Sequence, residues 1–307
     1  MGTMRDAFFD RLYTLARKDP DIVLVDADMG APSLDKFRRD LPAQFVNVGI
    51  AEQNAISVSS GLAFEGKKTY AYAIAPFITL RCYEQIKVNM CSMKIPVTAV
   101  GVGAGFSYDD SGPTHHTTED IAIMRALPNI TILNPTDNVM AAKCADISYN
   151  SDVPMYIRLD REPLDDIYDK KETFKAGISQ LRRGKDLCIV ATGNMVHKAL
   201  EIADILKKED IKVSVVDLYR LKPVNKEKLM KYVKQSDKIV TLEEHLIDGG
   251  IGSIVAEVFV DNQINIPLKR IAIPDKYCYT YGGREAIRRR INLDTNSVVK
   301  TILNFVD

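Results

Sequence analysis

The sequence has no apolar run long enough to span a bilayer, no excess of either charge, no close pair of cysteines and no low-complexity segment. The longest apolar runs are of strand length and the leading text MGTMRDAFFD lacks the apolar core of a signal peptide, so neither membrane insertion nor export is expected. A glycine follows Met1, but Asp6 stands where a myristoylation motif needs Ser or Thr. With 41 basic and 41 acidic side chains the formal net charge is zero, and no overall field favours nucleic acid or an anionic membrane surface. The expected partners are therefore small molecules or proteins. Cys82, Cys91, Cys144, Cys188 and Cys278 are odd in number and form no CxxC pair, which argues against a disulfide framework and for a reducing, cytoplasmic setting.

What is present is the composition of a folded enzyme-sized chain. Its 307 residues are 46% hydrophobic and 27% charged, and a prior of about 150 residues per domain gives two domains. Short apolar, β-rich runs alternate with amphipathic stretches throughout, the pattern of βαβ units. The expected fold class is α/β, with two domains that are each a mostly parallel sheet flanked by helices. Predicted strands in the first part cover 22 to 28, 45 to 50, 69 to 75, 97 to 103, 130 to 135 and 155 to 160, and their unbroken apolar character predicts burial on both faces. Predicted helices cover 3 to 18, 52 to 64, 78 to 93 and 137 to 150, with Asp137 as the cap of the last. After Asp160 the text turns polar until LCIVATG opens a new strand at 187. The chain is divided accordingly into domains at 1–175 and 176–307. The second part repeats the pattern with strands LCIVATG, KVSVVDL, KIVTLEE and LKRIAIP, and with helices near 195 to 207, 225 to 235 and 250 to 262.

Three clusters carry candidate chemistry. In NVGIAEQNA (47 to 55) a strand gives way to a helix with Glu52 in its first turn, a position where ligands bind in open α/β sheets, although a first-turn glutamate also simply complements a helix dipole. In YAIAPFITLRCYEQIK (72 to 87) Phe77 ends a strand, a place equally suited to core packing. In GVGAGFSYDDSGPTHHTTED (101 to 120) a glycine-rich turn precedes His115 and His116. The third glycine of a dinucleotide fingerprint is absent there, and adjacent histidines do not share one helical face as zinc ligands do. No metal site is assigned to this chain.

Together these clusters resemble the pyrimidine-binding domain of thiamine diphosphate enzymes, in particular the C-terminal portion of transketolases and of 1-deoxyxylulose-5-phosphate synthases. The resemblance covers nearly the whole chain and rests on DADMGAPS, VGIAEQ, APF...R.YEQI, GPTH, EDIAIMRALPN, NPTD and LEEHLIDGGIGS, in the family's order and spacing. It implies that Glu52 hydrogen-bonds N1′ of the aminopyrimidine from an apolar slot, that Phe77 stacks on the ring, and that Asp28 lies near the cofactor across a subunit interface. It implies that His115 faces the substrate as a hydrogen-bond donor. Arg5, Ser33 and Arg161 match positions that bind substrate phosphate in transketolases, and Arg158 matches a second arginine of the deoxyxylulose synthases. Two departures stand out: Gly103 replaces a substrate-binding histidine, and Ser111 replaces an aspartate directly before GPTH. Losing such partners predicts a sugar other than the ordinary pentose phosphates.

The resemblance also exposes a missing half. Thiamine diphosphate enzymes hold the diphosphate through Mg2+ bound by a GDG motif, and no GDG occurs in this chain. The expected arrangement is a split enzyme in which a GDG-bearing N-terminal subunit supplies the diphosphate site, in a heterotetramer of two plus two chains. The expected function is the C-terminal subunit of a two-component transketolase that moves a two-carbon ketol unit from a ketose to an aldehyde. The alternatives are a relative that starts from a 2-oxo acid and a non-catalytic partner of a transketolase. The second domain is expected to serve assembly and stability, with only His245 near enough to approach the site.

Overall fold

A computed structural model describes residues 2–306. The first sheet contains β1 (Ile22–Asp26), β2 (Phe45–Asn47), β3 (Lys68–Ile74), β4 (Thr98–Val102), β5 (Thr131–Leu133) and β6 (Met155–Leu159). The second contains β7 (Ser179–Arg182), β8 (Leu187–Ala191) and β9 (Val213–Asp217); β10 (Arg220–Lys222) follows, and then β11 (Lys238–Leu246) and β12 (Leu268–Ile273) complete it. The strand orders are β10-β5-β6-β4-β3-β1-β2 and β12-β11-β8-β9-β7. All pairings are parallel except β10 with β5 and β7 with β9. Every residue of β1, β4, β6, β8 and β9 is buried, because helices cover both faces of each sheet.

Register positions the functional edge. Asp26 pairs with both Asn47 and Tyr72, Ile74 with Val102, and Val102 with Leu159. The segments that leave β1, β2, β3, β4 and β6 therefore emerge along one carboxyl edge, where open α/β sheets bind ligands. Those segments carry Asp28, Glu52, Phe77, the Gly103–His115 loop and Arg161.

Several features differ from the expectations, among them β7 and the helices Arg284–Arg290 and Thr295–Val306, which no predicted element covers. The helix predicted over 78 to 93 begins earlier, at Ala75–Thr79 with Pro76 in its first turn, breaks, and ends as a π-helix at Ile86–Ser92. The N–H of Met93 reaches the Val88 carbonyl and that of Ile95 the Met90 carbonyl, a five-residue spacing. A helix at Pro32–Asp40 lies where none was predicted; it is short and buries only two large apolar side chains, Leu34 and Phe37, one turn apart. β10 belongs by sequence to the second part but pairs with β5 of the first sheet, so the two parts share a strand; three residues are too few to show a period.

The seam between the sheets buries a carboxyl group. Asp217, at the end of β9, accepts hydrogen bonds from Thr136 Oγ1 at 2.6 Å and from the Tyr168 hydroxyl at 2.8 Å. Burial pushes its pKa up to about 7, and the two hydrogen bonds only partly offset that. Between its unfolded value of 3.8 and about 7, the folded chain holds a proton that the unfolded chain has lost. Stability from this group is therefore full below about pH 4 and falls as pH rises towards 7. Asp217→Asn should flatten this slope, by up to about 4 kcal/mol between pH 4 and 8. Urea midpoints at the two pH values measure it, and an unchanged slope would refute the assignment.

Candidate active site

Glu52 opens the helix Glu52–Phe64 and is 3% exposed. Its slot is not apolar as the resemblance implied: Arg81 Nη1 lies 2.7 Å from Oε2. The same guanidinium covers Phe77, with Cζ 4.3 Å from the ring centroid, and the Arg81 carbonyl accepts a hydrogen bond from Gln53 Nε2. Phe77 meets the His115 ring edge-on at 5.0 Å between centroids, His115 lies 5.9 Å from Tyr108, and Arg161 Cζ stands 4.6 Å over the Tyr108 ring. One continuous row of planar groups thus runs Arg81, Phe77, His115, Tyr108, Arg161, with the Glu52 carboxylate at its first end. His115 Nδ1 contacts Thr114 Oγ1 at 2.9 Å, which fixes the ring within the turn opened by Gly112, whose φ is +71.

The loop before His115 is held from both sheets. The Phe106 N–H donates to Glu244 Oε2, and Ser107 Oγ to Asp160 Oδ1. Arg284 joins these groups by donating to Asp160, to Glu244 and to the Ala104 carbonyl, while its own N–H donates to Asp109 Oδ2 at 2.7 Å. Burial alone would raise the Glu244 pKa, but the guanidinium groups of Arg284 and Arg288 reverse this and hold it well below the usual carboxylate range. Gly105, at φ +59, permits the approach: a β-carbon there would sit 2.1 Å from the Glu244 carboxylate.

The other predicted site residues fall into different places. Arg5 lies on the first turn of the helix Met4–Ala16, with Nε 3.3 Å from Asp6. Ser33 is buried and donates to Asp6 Oδ1 at 3.1 Å, so the two share one carboxylate. Ser111 is on the loop and donates to Asp110. Asp28 adopts a left-handed φ of 59 and accepts a hydrogen bond from Asn47, two residues before Gly49 in the segment that leads to Glu52. Arg158 is not brought to the row. It is 4% exposed and its guanidinium is committed to Asp120 Oδ2 at 2.8 Å and to the Thr117 carbonyl, because its strand faces it into the sheet interface. His245 does not approach the site either: it is fully buried, accepts from the Ala122 N–H and contacts the Leu246 carbonyl, and burial lowers its pKa to about 4.

The sequence reading gave no role to Tyr108, Glu244 or Arg284, and none to Arg81 beyond its place in APF...R.YEQI. Arg81 had a signal, since it follows Phe77 by four residues in helical text. Glu244 and Arg284 had none, because their partners lie 138 and 124 positions away at Phe106 and Asp160.

With this geometry in place, similarity to known proteins adds independent findings. The profile described as the transketolase pyrimidine binding domain matches residues 1–165, and that of the transketolase C-terminal domain matches residues 177–298. The chain is 37% identical to an apulose-4-phosphate transketolase subunit of Phocaeicola vulgatus, over 100% of this chain and 98% of that protein. It is 32% identical to a 6-deoxy-6-sulfo-D-fructose transketolase subunit of Clostridium sp., over 97% and 92% of the two chains. A solved structure described as a split gene transketolase, inactive β4 tetramer, superposes with a TM-score of 0.90 at 33% identity, over 99% of this chain and 98% of the other.

Removing one member of a buried ion network leaves an uncompensated charge and costs about 3–5 kcal/mol. Arg284→Met should destabilise the chain by that amount and speed amide exchange at Phe106 and Ser107. A loss below about 1 kcal/mol in urea denaturation would show that the network is not what holds the loop.

Proposed function

This chain belongs to the transketolase family, and from that membership we propose that it is the C-terminal subunit of a two-component transketolase that transfers a two-carbon ketol unit from a ketose to an aldehyde. The carrying observation is the row that begins with Glu52 on Arg81 and ends on Arg161. A buried carboxylate beside a half-buried aromatic ring suits an aminopyrimidine, which offers a ring nitrogen and a flat face. Glu52 would hold that nitrogen, and Phe77 would hold the ring and exclude water. Thiamine diphosphate, when bound, supplies the carbon nucleophile that accepts the ketol fragment. His115 stands next along the row and would donate a hydrogen bond to a substrate oxygen, with its orientation set by Thr114.

The same membership supports a divided active site. No GDG occurs in the sequence, so the diphosphate and its Mg2+ are assigned to a GDG-bearing partner subunit, in a heterotetramer of two plus two chains. The inactive β4 tetramer of the matched split-gene enzyme agrees with a subunit that needs a partner. We take 1–175 as the pyrimidine-binding domain and 176–307 as the C-terminal domain. Five cysteines, all free and buried, suit a cytoplasmic setting. Gly103 and Ser111, in place of larger hydroxyl-binding side chains, favour a ketose other than the ordinary pentose phosphates. The two relatives named for apulose 4-phosphate and for a sulfofructose point the same way.

Calorimetric titration of thiamine diphosphate with Mg2+ into this chain, alone and mixed with the GDG-bearing chain, tests the division: tight binding is expected only in the mixture. Tight binding to this chain alone would overturn it. Glu52→Ala should lower turnover of the assembled enzyme at least about 100-fold while leaving assembly intact. Unchanged turnover would instead mark the chain as a non-catalytic partner.

A further inference from the structure

Tyr108 occupies the volume that any side chain at position 103 would need. A β-carbon on Gly103 would come within 2.3 Å of Tyr108 Cε2 and 2.5 Å of Cδ2, at a φ of +101 that disfavours every other residue. Gly103 has no slack to yield, since its N–H donates to the Leu159 carbonyl at 2.9 Å and Ala104 donates to the same oxygen. Ring and side chain are mutually exclusive here.

The same ring also carries Arg161. The guanidinium sits 4.6 Å from the ring centroid. The two carboxylates that flank it in sequence, Asp160 and Glu162, are both taken by Arg284, and Arg161 itself is exposed. Among the described residues no carboxylate forms a close ion pair with Arg161; Asp110, on the same loop and hydrogen-bonded to Ser111, is the carboxylate that acts on it at longer range. Arg5 and Arg161 both act on the Tyr108 phenol, so a second cation lies near the same end of the row. An arginine held over an aromatic ring gives up little further rotamer freedom when its fork meets an oxyanion.

Resting on the transketolase reading above, we propose that Tyr108 is the specificity-determining residue of this site. By closing the space at position 103 and carrying Arg161 on its face, it selects a ketose that ends in a tetrahedral oxyanion, phosphate or sulfonate, over the same sugar without one. Arg161 makes the contact, and Tyr108 sets where that contact is and what else fits beside it.

The test is calorimetric titration of the assembled complex with fructose 6-phosphate, 6-deoxy-6-sulfofructose and fructose. It is run on the wild type and on Tyr108→Phe, Tyr108→Leu and Tyr108→Ala. The wild type should bind both anionic sugars more tightly than fructose, and the comparison of the two assigns the preference to the phosphate dianion or to the sulfonate. Tyr108→Phe, which keeps the platform, should keep the preference. Tyr108→Leu, which keeps bulk against Gly103 but has no aromatic face, and Tyr108→Ala should each lower it about tenfold, with thiamine diphosphate affinity within about twofold of wild type as the check on folding. Equal preference in the wild type and both non-aromatic variants would overturn the proposal, as would a wild type that binds fructose as tightly as either anionic sugar. Failure of the transketolase reading registers separately, as a wild-type complex that binds an anionic sugar but transfers no two-carbon unit to an aldehyde.

Discussion

Between the two sheets, Arg284 donates to Asp160, Glu244 and the Ala104 carbonyl from a position only 4% exposed. Each charge taken out of water costs several kcal/mol unless partners replace the lost hydration. Those partners come from the end of β6, from β11 and from the loop after β4, so satisfying one guanidinium fixes three distant segments against each other. Gly105 follows from the same requirement, because Glu244 comes too close for a β-carbon. The Gly103–His115 loop, which faces the proposed substrate, is therefore anchored at Phe106, Ser107 and Asp109 before any ligand arrives. A pre-ordered loop adds nothing to the ordering cost of binding. The second domain contributes to the site through this network.

The row of planar groups is the other consequence of the sheet's geometry. Parallel strands of matched register deliver their following segments to one edge, and five of those segments carry a candidate side chain. Aromatic and guanidinium groups then meet at 4.3 to 5.9 Å, distances at which face and edge electrostatics favour offset and perpendicular contacts. Arg81 gives this row a feature that a carboxylate in an apolar slot would lack. It pairs with Glu52 and covers Phe77 in the same contact, so the buried carboxylate is not left without a counter-charge. Under the proposed function, the Glu52 end of the row would serve the cofactor and the Arg161 end the substrate.

The class of fold, the existence of most strands and the family were legible because they are written in local text. Runs such as IVLVDAD and VTAVGVG are buried on both faces and need no partner to be identified. Asp137 caps its helix as expected, with Oδ1 accepting from the Met140 N–H at 2.7 Å. Glu52, Phe77 and His115 lie in motifs with fixed order, and the structure gathers them along one edge. The edge strands β7 and β10 were not legible, since they are four and three residues long and each is set by antiparallel pairing with the strand beside it. The π-helix at Ile86–Ser92 was also hidden, because its extra residue per turn comes from packing rather than from composition.

What the sequence by itself determined is therefore the periodic and motif-borne part: two α/β domains, the order of candidate residues along the chain, and the lack of a diphosphate motif. What only the tertiary structure decided is which charges face each other. Arg158 and Arg161 are three residues apart, yet one is buried on Asp120 and the other is exposed on Tyr108. Strand alternation and a turn at Asp160 separate them, and no local pattern reveals which arginine finds a buried carboxylate. Such pairings join residues far apart in sequence, 38 positions for Arg158 and Asp120 and 124 for Arg284 and Asp160, and they form only where the packed sheets exclude water and make an unpaired charge too costly to leave.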